Sequence, residues 1–538
     1  MKKLLLGLFV PLFALQLTAQ PWNADLGNGK YKNPVLFADY SDPDVCRVGD
    51  DFYMTASSFN SSPSLPILHS KDMVNWELIG YALDKQVPLE FFEKAQHGGG
   101  VWAPAIRYHN NEFYIYYPDP DFGIYMIKTK DVKGPWSEPV MVLEGPGVID
   151  PCPLWDEDGK AYLAYAFAGS RAGVKTVLMM TEMTADGTKA IGNSALVFDG
   201  HDGHTTVEGP KFYKRNGYYY ILAPAGGVKP GWQLAFRSKN VWGPYEMKVA
   251  LHQGNTDING PHQGALVELE NGDTWFYHFQ DRWAYGRLVL LQPVTWVDGW
   301  PIPGTDTNKD GIGEPVGEWT KPNVGKKYPA TPLVTTDEFN SFPYGLQWQW
   351  HATPELTYGY LSAGLGYLRL NCVKQAEGFK NFWDLPNLFL QKFPGPDFTA
   401  TTKLTFSNHN DGDLSGLLLM GESYAYIGLK QVDGKLKLVQ NSCAKSHQGT
   451  AEKEEASIGI DQNEVYLRVT VTHLPKSETH DAVAKFSYSF DGKKFKEIGA
   501  EFTPVAGRWI GAKIGLFATG STKTNDSGYA DYDWFRVE

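Results

Sequence analysis

Cysteine is scarce in this sequence: Cys46, Cys152, Cys372 and Cys443 are the four in 538 residues. So few in so long a chain do not build a disulfide scaffold, and buried thiols with at most one bridge are expected. Long apolar runs are scarce as well. The one stretch of any length, "LLLGLFVPLFALQL", follows Lys2 and Lys3 and precedes "TAQ". That order of charged, apolar and small residues predicts an export signal over residues 1–20, cleaved near Gln20, with no cysteine there to carry a lipid. A periplasmic or secreted protein is expected, and no later run approaches the ~20 apolar residues of a membrane span. Basic runs are missing too, and the formal charge is −12, which argues against nucleic acid or anionic membrane as a partner. Sustained helix-period patterns are also missing, so no helix beyond a turn or two is expected. Oligomeric state is not legible.

Aromatic residues are plentiful, at 14% of the chain, alongside 56 glycines and 34 prolines. With so little helical patterning, that composition points to an all-β protein whose grooves are lined by rings. The length exceeds what one core serves, so two or three domains are expected.

A repeat organises the first half. It reads as a polar residue, a short apolar strand, a Gly/Asn/Asp turn and a strand rich in Tyr and Phe. Its copies are "DPDVCRVGDDFYMTAS" from Asp42, "WAPAIRYHNNEFYIYYP" from Trp102, "DPCPLWDEDGKAYLAYA" from Asp150, "EGPKFYKRNGYYYILAP" from Glu208 and "HQGALVELENGDTWFYHF" from His262. Each is a hairpin signal, and a second hairpin follows each copy, as in "LHSKDMVNWELIG" and "LLQPVTWVDGWP". Units of about fifty residues with four strands predict a β-propeller, because one blade cannot bury its faces without neighbours. The five copies over residues 21–315 therefore predict a five-bladed β-propeller. A Gly-, Pro- and Lys-rich linker is expected at 316–335, and a β-sandwich of jelly-roll, concanavalin-like type at 336–538.

In a propeller the innermost strands all point at one axis, so the five starts converge. Three of them are carboxylates: Asp42, Asp150 and Glu208. Taken singly, an Asp before Pro is a turn former. At equivalent positions of a repeat, three acids make a better active site than three independent turns. Glycoside hydrolysis with inversion needs an acid and a base about 6.5–9.5 Å apart, with water between. A third acid nearby can raise the donor's pKa by repulsion.

Read together, "SDPDV", "GGGVWAPAIRY", "VIDPCPLWDEDGKAYLAY", "EGPKFYKRNGYYY", "NGPHQGALVE" and "GRLVLLQPVTWVDGWP" resemble glycoside hydrolase family 43. The stretch from "DEFNS" to "YDWFRVE" is similar to the accessory sandwich of that family's two-domain arabinofuranosidases and xylosidases. The resemblance implies an exo-acting, inverting enzyme that releases a terminal pentose from hemicellulose: arabinoxylan, arabinan or decorated xyloglucan. α-L-Arabinofuranosidase is the first expectation and β-D-xylosidase, alone or combined, the alternative. Asp42 would be general base, Glu208 general acid and Asp150 the residue that tunes the acid and orients substrate. Asp44, expected on the same strand face as Asp42, would be structural. Arg287 would reach the sugar beside the base. Trp102 would stack on a sugar face, with Phe167 and Trp283 as further rim candidates. No cofactor is required. A structural calcium is allowed, with His262 at the channel floor as its candidate ligand, largely through water; the other reading of His262 is a satisfied inward-facing histidine. "DTNKDGIGE" from Asp306 copies the opening of a calcium loop with Asp306, Asn308, Asp310 and Gly311. It has Gly317 where that loop needs a bidentate Glu, so a solvated turn competes. The sandwich either binds carbohydrate itself or packs on the propeller and lends a loop to the pocket. Two rival classes remain: the invertase and fructan hydrolase group, disfavoured by "YSDPDV", and a propeller that binds sugar without cleaving it.

Overall fold

The computed structural model describes residues 22–362, 364–474 and 480–538. The residues read as an export signal lie outside the described residues.

Four consecutive four-stranded antiparallel sheets follow the repeat. Blade one is Asp44–Val48, Asp51–Thr55, Ser64–Ser70 and Glu77–Leu83; blade two is Ala105–His109, Glu112–Asp119, Gly123–Thr129 and Val140–Glu144. Blade three is Val148–Trp155, Ala161–Phe167, Val177–Met183 and Ala190–Asp199; blade four is Lys211–Arg215, Tyr218–Ala225, Trp232–Ser238 and Glu246–Leu251. The hairpin dipeptides have the left-handed backbone that two-residue turns require, with φ 49° and 62° at Asn110 and Asn111 and 50° and 75° at Asn216 and Gly217.

Blade five differs from the expectation. Leu266–Glu268, Thr274–Arg282 and Gly286–Val297 are joined by the N-terminal strand Leu36–Asp39, which pairs with Gly286–Val297. The local strand Trp300–Pro303 pairs only with the far end of Gly286–Val297. Borrowing Leu36–Asp39 closes the ring between the first and last blades, which local hairpins cannot do. Apolar side chains then fill each gap between neighbouring blades. Ile67 and Ile115 lie between blades one and two, Tyr116 and Leu163 between two and three, Ile149 and Ile221 between three and four, Leu222 and Phe276 between four and five, and Phe52 and Trp275 between five and one. Each blade thus depends on two others for burial, the physical reason for a closed disc.

The second unit is a sandwich of two largely antiparallel sheets, one centred on Lys513–Gly520 and Leu414–Met420, the other on Phe398–Ser407 and Tyr529–Val537. Strand Glu464–His473 has the required alternation, with Val465, Leu467, Val469 and Val471 buried. Among the described residues the α-helices are single turns, Leu89–Phe92 and Gly169–Ala172. The four cysteines are free thiols.

The two units share one apolar cluster, in which propeller Phe37, Tyr285 and Leu288 pack with sandwich Trp348 and Phe389. Ser62 and Trp350 exchange backbone hydrogen bonds across the boundary. The connecting stretch is more tied down than a linker composition suggests. Glu318–Thr320 pairs with Lys30–Lys32, and Lys321 Nζ lies 2.6 Å from Asp25 and 2.7 Å from Asp72.

Candidate active site

The strand starts converge, and their backbone explains how. Asp42 and Asp150 precede or interrupt regular pairing with φ of 54° and 57°, and Gly209, next to Glu208, has φ 57°. Aspartate tolerates the left-handed region better than most residues, at a strain cost of about 1–3 kcal/mol that recurs at functional sites. Gly209 has a second constraint: a Cβ there would lie 2.6 Å from Gln263 Cγ. These kinks turn the acids into a cavity of about 610 Å³ at one end of the axis, lined by Asp42, Asp150, Glu208, His262 and Arg287 among others.

Asp42 is buried, and its carboxylate accepts from three side chains. Ser41 Oγ and Ser57 Oγ donate to its Oδ2 at 2.6 Å, and Arg287 NH1 lies 3.3 Å from both carboxylate oxygens and 2.8 Å from Ser41 Oγ. Arg287 is itself anchored, because its backbone N–H donates to Asp39 Oδ1 at 2.8 Å. Asp44 does not share the face of Asp42. The left-handed residue at Asp42 breaks the two-residue period, so Asp44 turns between the blades. There it accepts hydrogen bonds from Ile106 N at 2.8 Å and Arg107 NH1 at 2.6 Å, with Lys211 Nζ at 3.9 Å. Arg107 also lies 2.8 Å from Cys152 Sγ. Asp44, Arg107, Cys152 and Lys211 come from four successive blades and meet across the axis, where their contacts bind the blades together.

Asp150 is buried and accepts Gly209 N at 2.7 Å and Gln263 Nε2 at 3.3 Å. Burial first, then the neighbouring charges of Glu208 and Asp42, hold its carboxyl well above the ordinary carboxylate range. Glu208 is the most open of the three acids, 25% exposed at its side chain, and His262 Nε2 lies 3.1 Å from its Oε1. The other nitrogen of His262 is buried without a hydrogen-bond partner, against Gly231. A calcium ion takes six to eight oxygens, and among the described residues no three His, Cys, Asp or Glu side chains come together to hold a metal. His262 Nε2 faces Glu208, and no step of the chemistry is routed through a metal. In the "DTNKDGIGE" stretch, Asp306 and Asp310 spend their oxygens on the backbone amides of residues 310–312, the pattern of a solvated turn.

Trp102 and Phe167 line the cavity wall, together with Phe59 from blade one and Trp509 from the sandwich. The Trp102 and Trp509 rings meet edge-on at 6.4 Å, and Trp509 lies 5.8 Å from the Arg287 guanidinium. Trp283 is not brought into this cavity. It lines an adjoining one, with Lys229 Nζ 3.6 Å from its ring. Ser41, Ser57, Phe59, Gln263 and Trp509 were not anticipated as site residues. The serines sit beside recognised motif letters, whereas nothing near Trp509 marks it. Its place follows from Asp39, whose Oδ2 accepts Gly511 N at 2.9 Å and so fixes the sandwich loop onto the strand that carries Arg287.

Comparison with known proteins agrees with this geometry. Residues 31–301 match the family described as Glycosyl hydrolases family 43, and residues 336–538 match the Beta xylosidase C-terminal Concanavalin A-like domain. A Formosa agariphila protein named Beta-xylosidase is 35% identical, over 96% of this chain and 91% of its own. A Bacteroides ovatus protein named Non-reducing end alpha-L-arabinofuranosidase BoGH43B is 29% identical, over 95% and 96%. The solved structure described as Bacteroides ovatus Xyloglucan PUL GH43B superposes with a TM-score of 0.80 at 27% identity, covering 95% of this chain and 99% of that one.

Proposed function

Because the chain belongs to glycoside hydrolase family 43, we propose that it releases single terminal pentosyl residues from hemicellulose oligosaccharides by one displacement with inversion. The observation that carries this reading is the convergence of three carboxylates in one cavity, each with a different set of partners. Asp42, held by two serines and Arg287, draws a proton from the water that attacks the anomeric carbon. Glu208, the most exposed acid, protonates the departing glycosidic oxygen. Asp150, whose proton affinity is raised by burial first and by the charges of Glu208 and Asp42 next, stands beside the acid and orients the sugar. Arg287 holds the base and offers its fork to ring hydroxyls. Trp102, Phe167 and Phe59 supply faces for the C–H side of the sugar.

An exo mode of action is supported by the polar crossing of Asp44, Arg107, Cys152 and Lys211 along the axis and by the sandwich residue Trp509 at the wall. A blind cavity suits a chain end better than a chain interior.

The sugar is the finer question. The sequence expectation put α-L-arabinofuranosides first. The greater identity to the relative named Beta-xylosidase moves β-D-xylosides ahead, with arabinofuranosides as the second reading. Parallel assays on 4-nitrophenyl β-D-xylopyranoside and α-L-arabinofuranoside decide the order, and a kcat/KM on the arabinofuranoside tenfold above the xyloside would reverse it. Proton NMR of the first-formed sugar tests inversion. Retained anomeric configuration would remove Asp42 from the role of base. We further propose that residues 1–20 direct export to the periplasm or beyond, tested by N-terminal sequencing of the mature protein.

A further inference from the structure

We propose that a second cavity, enclosed by the closing strand Leu36–Asp39, the connecting stretch at 331–335 and the sandwich strand Phe389–Lys392, binds a small aromatic monocarboxylate. The cavity shares no lining residue with the acid pocket, and its occupancy is independent of the hydrolase reading.

The space measures about 320 Å³, within the 300–1,000 Å³ span typical of small-molecule sites. Its walls are mostly apolar, with Tyr40 and Tyr81 from the propeller, Leu333 from the connecting stretch and Phe393 from the sandwich. Two further lining residues, Val334 and Leu346, remain 64% and 39% exposed. Apolar side chains left in water beside a cavity of this size suit an occupant with an apolar body.

Three polar groups of the lining lack a protein partner. Lys392 Nζ lies 4.9 Å from the Tyr40 ring, and among the described residues no carboxylate comes within 4 Å of it. The acid whose charge acts on it, Asp39, already spends its two oxygens on Arg287 N and Gly511 N. A second ammonium, Lys513, acts against it. Burial pushes the Lys392 ammonium below its ordinary range, so an anion brought into contact would relieve a real cost. Gln391, 2% exposed, has a buried amide nitrogen with no acceptor. Gln347 gives its amide nitrogen to Thr336 O at 3.2 Å, which leaves its buried oxygen unpaired.

Buried polar atoms without partners are rare in folded proteins. One small molecule would satisfy all three: a carboxylate taking the Lys392 ammonium and the Gln391 N–H, and a hydroxyl donating to Gln347 Oε1. The ring that joins them packs on Tyr40, Tyr81 and Phe393. Glu77, on the exposed rim, disfavours a second negative charge on the occupant.

The test is calorimetric titration of the full chain with 3-(4-hydroxyphenyl)propanoate and with its neutral primary amide. The parent is expected to bind the acid with a Kd below about 1 mM and the amide about tenfold more weakly. Lys392→Met should weaken the acid about tenfold, Gln391→Leu about threefold, and Lys392→Arg should restore most of the loss. Thermal midpoints measured on each variant establish that it is folded. No binding of the acid by the parent, equal binding of acid and amide, or undiminished affinity in both Lys392→Met and Gln391→Leu overturns the proposal. So does binding that Trp102→Ala abolishes and Lys392→Met does not, because the ligand would then sit in the acid pocket. If Lys392→Met fails to fold, the acid–amide comparison on the parent and the Gln391→Leu titration decide. Pentoside hydrolysis by the same samples reports on the hydrolase reading alone.

Discussion

The propeller and the sandwich are built from the same material, antiparallel strands with aromatic-rich faces, yet they treat buried charge in opposite ways. In the propeller, charge gathers at the centre. Asp42, Asp44, Asp150, Lys211, His262 and Arg287 are all buried around the axis. In the sandwich the space between the sheets is filled by residues such as Leu417, Val469, Leu516 and Phe535, and the half-buried Lys392 and buried Lys513 sit where it meets the propeller, near Tyr40 and Ser61. The difference follows from how each unit buries its strands. Blades pack face to face around a ring, so the starts of their inner strands are left over at the axis, free to carry polar groups that satisfy one another. Two stacked sheets leave no such axis, and polar groups between them are neutral hydroxyls that pair with one another, as Ser415 and Tyr532 do at 2.7 Å. The sandwich therefore contributes to the pocket from its edge, through the loop bearing Trp509.

The comparison can be broken most strongly at the axis. Replacing Asp42 or Glu208 by Ala is expected to lower kcat by about 10²–10⁴-fold on the better aryl pentoside. Undiminished turnover would mean that the axis is structural. Asp150→Asn comes next, with a loss of about 10²-fold and a shift in pH profile. Burial, then the charges of Glu208 and Asp42, hold the Asp150 carboxyl well above the ordinary carboxylate range, so the ionisation it contributes to the pH profile of kcat/KM should disappear with the amide; a profile identical to the parent's argues against a role for that carboxyl.

A smaller effect is expected where the two units join. Asp39 accepts Arg287 N and Gly511 N on its two oxygens, and Gly286 leaves room for it, since a Cβ there would come within 2.5 Å of Asp39 Oδ1. Asp39→Asn sets an amide N–H against a backbone N–H, at a cost of about 1–3 kcal/mol. It should raise KM several-fold as Trp509 and Arg287 lose register, while Asp39→Glu restores part of the affinity. A variant that lowers only the thermal midpoint would leave Asp39 a purely structural tie.

The smallest expected effect concerns Lys513. Burial, with the charge of Lys392 next, brings its ammonium down to about 7. Between that value and the unfolded value of roughly 10.4, the unfolded chain holds a proton that the folded one has released, so stability rises with pH across that window. The contribution is lost as pH falls through about 7. Lys513→Met should flatten this slope and raise the midpoint by about 2–4 °C near pH 6, read by differential scanning calorimetry from pH 6 to 9. An unchanged slope would show that Lys513 stays charged at the interface.

Much of the propeller was legible in the chain because its signals are local. Turn dipeptides such as Asn110–Asn111 and Asn216–Gly217 dictate hairpins within a few residues, and the repeat aligns Asp42, Asp150 and Glu208 without knowledge of the fold. The closing strand Leu36–Asp39 was not legible. It pairs with residues some 250 positions later, and nothing in the four letters LFAD names that partner. Trp283 misled for a related reason: it follows the fifth inner hairpin, as a rim residue would, but the turn at Trp283–Tyr285 carries it into the neighbouring cavity. Asp44 misled because the two-residue period was carried through Asp42, where a left-handed backbone breaks it.

By itself, then, the sequence determined the all-β class, the five repeated blades, the family and the three acids, since each is written in short-range patterns that recur. The tertiary structure decided which blade borrowed a strand, that Asp44 faces Arg107 while Asp42 faces Arg287, and that Trp509 of the second unit walls the pocket of the first. These depend on contacts between residues tens to hundreds of positions apart, and such contacts are set by burial and closure of the whole ring, which no local pattern encodes.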